Sequence, residues 1–132
     1  MKKILFISLI LISVLACKKT KFEPEGPTDV RVRNLSNVAF TEVTVNTSGG
    51  TNIIDTIAPG DVSEYFRFEK AYYRADISAK INGVKFSTRP VDYTYLTYIG
   101  RDKITYEVEI SDLNNKLLEI TDIIPEEELH LK

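Results

Sequence analysis

Catalysis starts with nucleophiles, bases and metal ligands, and this chain holds few arrangements of them. It has one His, His130, two residues from the C-terminal end, and one Cys, Cys17. A catalytic Ser, Thr or Cys needs a base beside it, so no catalytic residue is assigned. A single Cys excludes an internal disulfide, and one Cys with one His makes no Cys/His metal set. No metal site and no cofactor are expected. Neither GxGxxG nor GxxxxGK occurs, which removes the common phosphate-cradling loops. Glycoside hydrolysis needs two carboxylates about 5–9 Å apart, and Asp55, Asp61, Glu64, Asp76 and Asp92 are the candidates. Solvated strand faces and turn caps account for these acids more simply. Asp112-Leu113-Asn114-Asn115 begins like a calcium loop but lacks the Gly and the distal Glu, and reads as an Asx turn. The chain therefore reads as non-enzymatic, with a small carboxylate-dependent hydrolase as the lesser alternative.

The aromatics carry more information. Tyr93, Tyr95 and Tyr98 crowd into six residues after Arg89-Pro90. On a strand continuing past Pro90, positions 89, 91, 93 and 95 share one face and Tyr98 takes the other. Arg89, Tyr93 and Tyr95 are thus the candidate contact with a ligand or partner, since Tyr and Arg are enriched at the energetic centres of interfaces. The competing reading is that these rings pack over the core. Tyr65-Phe66 and Tyr72-Tyr73 are weaker candidates, each with one ring facing outward on a regular strand. Pro90 cannot donate to a ladder, which predicts an edge there, open to an added strand from a partner.

These side chains are positioned by strands. Val30 and Val32 alternate with Arg31 and Arg33. Ala75, Ile77, Ala79 and Ile81 alternate with Arg74, Asp76, Ser78 and Lys80, and Ile104, Tyr106, Val108 and Ile110 with Thr105, Glu107 and Glu109. Period two marks half-buried antiparallel strands. Asn82-Gly83 is the strongest turn signal, a two-residue type I′ loop that sets Ile81 opposite Val84, Ala79 opposite Phe86 and Asp76 opposite Arg89. Eight strands are predicted near 29–35, 39–47, 52–57, 62–68, 73–81, 84–89, 94–99 and 103–110. A ninth segment, 117–123, reads as a strand or a short helix. The fold class is all-β: an antiparallel β-sandwich of about 7–9 strands, immunoglobulin-like or transthyretin-like, with a small β-barrel as the alternative.

The whole chain is 132 residues, 43% hydrophobic and 27% charged, enough for one globular domain. A net charge of −2 gives no basic field for nucleic acid. The N-terminus stands apart. Met1-Lys2-Lys3 precedes Ile4–Ala16, apolar but for Ser8 and Ser13, which is the pattern of a secretory signal. Thirteen residues rise only ~20 Å as a helix, short of a ~30 Å hydrocarbon core. Lys18–Thr28 holds two Pro, one Gly and five charges and reads as a tether. The divisions are a signal peptide 1–16, a lipidated Cys and flexible linker 17–28, a β-sandwich domain 29–124 and a polar tail 125–132.

Val14-Leu15-Ala16-Cys17 resembles a bacterial lipobox. That resemblance implies cleavage between Ala16 and Cys17, a diacylglycerol on the Cys17 sulfur and acylation of the new amine with palmitate-type chains. Val30-Arg-Val-Arg-Asn-Leu-Ser36, Phe40 to Val45, Ile57-Ala-Pro-Gly-Asp-Val-Ser-Glu-Tyr65 and Ala71-Tyr-Tyr-Arg-Ala-Asp-Ile77 are similar to small lipoproteins of Bacteroidota that carry one β-sandwich and no established activity. This implies an outer-membrane lipoprotein. Lys18-Lys19-Thr20 departs from the acids that follow the Cys in surface-exported members, which favours the periplasmic face. Asp55-Thr56-Ile57 looks like the O-glycosylation signal of such envelopes, with Thr56 as acceptor. The expected function is a lipid-anchored binding or assembly module, its partner a protein or a glycan; the alternative is a structural adaptor of an outer-membrane complex.

Overall fold

Alternating apolar side chains from eight strands meet in one core. The computed structural model describes residues 26–126, and the strands are β1 (Thr28–Asn34), β2 (Phe40–Asn46), β3 (Thr51–Ile57), β4 (Phe66–Phe68), β5 (Asp76–Ile81), β6 (Val84–Ser87), β7 (Asp102–Asp112) and β8 (Leu117–Pro125). They form a single mixed sheet in the order β3-β2-β5-β6-β8-β7-β1-β4. It curls round the core like a barrel that does not quite close, with β3 and β4 as its two edges. The fold is all-β. The expectation of purely antiparallel pairing fails at two of the seven pairings: β1 runs parallel to β7 and β6 parallel to β8. In/out alternation reports which face a residue occupies, not the direction of its neighbour, so it could not show this.

The seam between β6 and β8 is a single pair, Ser87 opposite Leu117. On either side of it lie four-stranded runs, β3-β2-β5-β6 and β8-β7-β1-β4. Phe40, Val43, Ile57, Ile77 and Phe86 from the first pack against Val30, Val32, Ile104, Tyr106 and Val108 from the second. Burying a side chain of this size contributes about 1.5–3 kcal/mol. Glu42, at φ 44°, sits in a bulge between Thr41 and Thr44, which lets both Phe40 and Val43 point inward.

The Asn82-Gly83 turn has the expected form, with φ of 52° and 79°, and Ile81 faces Val84 while Ala79 faces Phe86. Asp76 does not face Arg89. β6 stops at Ser87, where Thr88 turns its hydroxyl onto the Ile77 N–H at 3.0 Å. The backbone keeps half of the next rung, the Thr88 N–H donating to the Ile77 carbonyl at 2.9 Å, and the side chain takes the place of the other half. The predicted strand 62–68 survives in two pieces for the same reason. Val62 bridges Arg33, then the Ser63 hydroxyl accepts the Val32 N–H at 3.0 Å, and pairing resumes only at Phe66. Segment 117–123 is a strand extending to Pro125, not a helix, and the Asp112–Asn115 turn is closed by Asn115 N–H on Asp112 Oδ1 at 3.0 Å.

Two boundaries move. Thr28 belongs to β1 rather than to the linker; it is fully buried and its hydroxyl donates to the Gly100 carbonyl. Pro125 belongs to β8, opposite Ile104. The β2–β3 hairpin is pressed against the chain after β4: a Cβ on Gly49 would lie 2.6 Å from the Lys70 backbone nitrogen, so only Gly fits that approach.

Candidate functional site

The predicted strand 94–99 is the main correction. Val91–Gly100 carries the chain from β6 to β7, from one four-stranded run to the other, and contains no strand. Its Tyr and Thr content favours a strand, but packing decides otherwise. Tyr93 and Tyr98 both turn in to flank the buried Tyr72, with ring centroids 5.0 and 6.2 Å away. The Ile99 N–H donates to the Ala71 carbonyl at 2.8 Å. The shared face proposed for Arg89, Tyr93 and Tyr95 therefore does not exist.

The three residues have separate places. The Tyr93 hydroxyl accepts the Asp76 N–H at 3.2 Å and donates to the Asn46 carbonyl at 3.0 Å, with Asp76 Oδ2 3.3 Å away. It ties the loop to the end of β2 and the start of β5, a structural duty. Burial, and then the Asp76 carboxylate beside it, push this hydroxyl up to about 12. Tyr95 is 95% exposed at the tip of a turn. Asp92 builds that turn by accepting from the N–H and hydroxyl of Thr94, and these bonds hold its carboxyl below the usual range.

These placements make a prediction. Tyr93→Phe leaves the Asp76 N–H and Asn46 carbonyl without their partner and should lower stability by about 1–2 kcal/mol, whereas Tyr95→Ala should leave it unchanged. A hydroxyl whose folded pKa is raised contributes stability below its ordinary value of 10 that is lost as pH rises towards about 12. Urea unfolding at neutral and alkaline pH should show Tyr93→Phe losing less than the wild type over that window. Equal alkaline losses would show that this hydroxyl is not the titrating group.

Arg89 lines a lateral cleft of about 590 Å³. Past the Ser87–Leu117 pair, the segment Thr88–Val91 and the start of β8 splay apart and the cleft opens between them. Pro90, Val91, Leu117 and Ile120 supply apolar wall, and Tyr73, 62% exposed, stands at the rim. Arg74 joins Arg89 in the lining, and among the described residues neither forms an ion pair. Of the acids there, Asp112 is occupied by Asn115, whose N–H and side-chain amide hold its carboxyl below the usual range, with the charge of Arg89 a smaller cause. The two arginines suit an anionic group, and the lining, more polar than apolar and including Thr88, Ser111 and Glu119, suits an extended ligand that also offers hydrogen bonds.

The remaining candidates are scattered. Asp55, Asp61, Glu64 and Asp92 are exposed and Asp76 half-buried, on separate segments of the chain. No group of three or more His, Cys, Asp or Glu that could hold a metal occurs among the described residues. Thr56 is exposed on the edge strand β3. Ala16, Cys17 and His130 lie outside the described residues, as do most of the linker and of the tail.

No family model matches this chain. No curated protein matches it either. An NMR structure of a protein from Eubacterium rectale is similar, with a TM-score of 0.51 and 14% identity over 78% of this chain and 96% of that one. At that identity the likeness concerns the fold alone.

Sequence reasoning missed the cleft, because a splayed parallel pair cannot be read from periodicity. It also missed Asn34. That residue continues the inward series Thr28, Val30, Val32, and its side chain donates to the carbonyls of Val38 at 2.7 Å and Ile57 at 3.0 Å while accepting the Ser36 N–H at 2.9 Å. A polar residue in phase with a buried face was the available signal.

Proposed function

We propose that this is a lipid-anchored binding module of the bacterial cell envelope, without catalytic chemistry, which takes an extended anionic segment of a partner protein into the cleft between β6 and β8. One observation carries the reading: β8 leaves β6 after a single pair, which opens its edge beside Arg74 and Arg89. A strand edge supplies backbone hydrogen bonds, and arginine supplies a charge-assisted contact to a carboxylate. The lipobox-like Val14–Cys17 supports an anchor on Cys17, and Lys18-Lys19 supports the periplasmic face of the outer membrane. At the finer level of fold, the one-pair seam supports treating the two four-stranded runs as the facing sheets of an immunoglobulin-like or transthyretin-like sandwich.

The test is selection from a displayed random-peptide library. Enriched peptides should carry an Asp or Glu in an extended stretch. They should bind Arg74→Glu/Arg89→Glu at least about tenfold more weakly, a loss of about 1.4 kcal/mol. Both arginines are exposed, so the variant should keep its melting temperature. Peptides indifferent to the charge at 74 and 89 would sink the reading.

A structural adaptor of an outer-membrane complex is the second reading. Its support is that Leu35, Val62, Val84 and Leu113 are large apolar residues exposed at strand ends and turns. O-glycosylation of Thr56 rests on Asp55-Thr56-Ile57 and on the exposure of the hydroxyl-bearing residue. A hydrolase gains nothing from the placement of its candidate acids.

A further inference from the structure

We infer that the end of the domain where the tether enters lies against the lipid surface, with Tyr95 as the side chain that inserts. This rests on the anchor reading of Cys17. Strand register collects the elements of that end: Thr28 lies opposite both Phe68 and Asp102, Ile104 opposite Pro125, and Asn46 opposite both Thr51 and Asp76. Cross-links join the two runs there, from Thr47 Oγ1 to the Lys70 carbonyl at 2.7 Å and from Tyr93 to Asn46. The chain arrives at this same end, Gly26 lying against the Arg101 side chain and Thr28 bonded to Gly100.

Length then limits orientation. Eight residues, 18–25, separate Cys17 from Gly26, and nine residue steps span at most ~32 Å. β7 alone, eleven residues and ten steps, carries the far end ~33 Å away. A tether no longer than the domain would have to be fully stretched to turn the far end to the surface in which it is rooted, so the near end is the one held against it.

The near end is also the one dressed for an interface. It exposes Tyr95, while the large apolar residues exposed at the far end, among them Leu35, Val84 and Leu113, are aliphatic. Tyr is enriched at the membrane–water boundary because its ring is apolar and its hydroxyl wet. The loop that presents Tyr95 is already braced by Tyr93, by Tyr98 against Tyr72, and by the Asp92–Thr94 turn, so docking orders little new chain. Charge at this end is mixed: Lys70 and Arg101 stand against Glu69, Asp92 and Asp102, while Arg67 pairs with Asp29 and Lys103 with Glu126. The contact should therefore respond weakly to salt.

The chain contains no Trp, so one introduced indole reports a single place. Tyr95→Trp and, in the far turn, Leu113→Trp would each be placed in the full chain, processed in a bacterial host and reconstituted in phosphatidylethanolamine–phosphatidylglycerol vesicles with dibrominated acyl chains as quenchers. The expected result is blue-shifted, strongly quenched emission at 95 and solvent-like, unquenched emission at 113, with little change in moderate salt. Protein that floats with the vesicles but is quenched no more at 95 than at 113 overturns the inference and leaves the anchor intact. Protein that does not float at all overturns the anchor reading, and this inference with it.

Discussion

Asn34→Ala is expected to lower the unfolding free energy by about 3–4 kcal/mol, a large part of the 5–15 kcal/mol typical of a small domain. Asn34 is fully buried where three segments converge. Its amide bonds the Val38 carbonyl before β2 and the Ile57 carbonyl at the end of β3, and its carbonyl oxygen holds Ser36 in the turn between β1 and β2. Its own backbone is bonded as well, giving to Asp61 at 3.0 Å and accepting from Gly60 at 2.7 Å. Truncation orphans the buried Ile57 carbonyl and the part-buried Ser36 N–H, at about 1–3 kcal/mol each, the latter towards the lower figure. Asn34→Asp keeps the shape but sets an acceptor against two carbonyls, so it should be no better. Urea denaturation with an unchanged slope is the measurement. A loss below about 1 kcal/mol would mean that these bonds are replaced without cost, contrary to the geometry.

Cys17→Ser is expected to have the largest effect on where the protein resides. Each buried methylene contributes about 0.8 kcal/mol to membrane attachment, and two or three acyl chains make a stable anchor. Wild-type protein extracted from membranes should give an intact mass for a chain beginning at Cys17 with acyl additions, and the Ser variant a mass retaining residues 1–16 and no lipid. An unmodified wild-type chain beginning elsewhere would refute the anchor.

The sequence made legible what depends on neighbours along the chain. The alternation in β1, β5 and β7 located those strands, and Asn82-Gly83 fixed the register of the β5–β6 hairpin, because a turn of that type permits one alignment. What failed depends on partners far away in sequence. Tyr93 and Tyr98 leave a strand conformation because Tyr72, some twenty residues earlier, offers them a packing surface. At Ser63 and Thr88 the ladders give way because the hydroxyls take the amides of Val32 and Ile77, leaving the backbone only its bonds to the carbonyls of those residues. The sequence points to Arg89 as a contact through an alignment with Tyr93 and Tyr95. Arg89 stands in the cleft lining for another reason, the divergence of β6 from β8.

The parallel pairing of β1 with β7 also sets an order of events. Val30 meets Ile104 and Arg31 meets Thr105, so the first strand finds its long partner only after more than seventy further residues have been made. Closing a loop of that size is slow relative to local hairpins. The emerging chain can form β2–β3 and β5–β6 early, but its core stays open until the last quarter arrives. On the proposal that residues 1–16 direct export, the chain must remain unfolded until it has been threaded across a membrane, and late closure by β7 would hold off premature folding through topology alone. A permutant that joined β7 directly ahead of β1 should fold faster and, for that reason, be exported less completely.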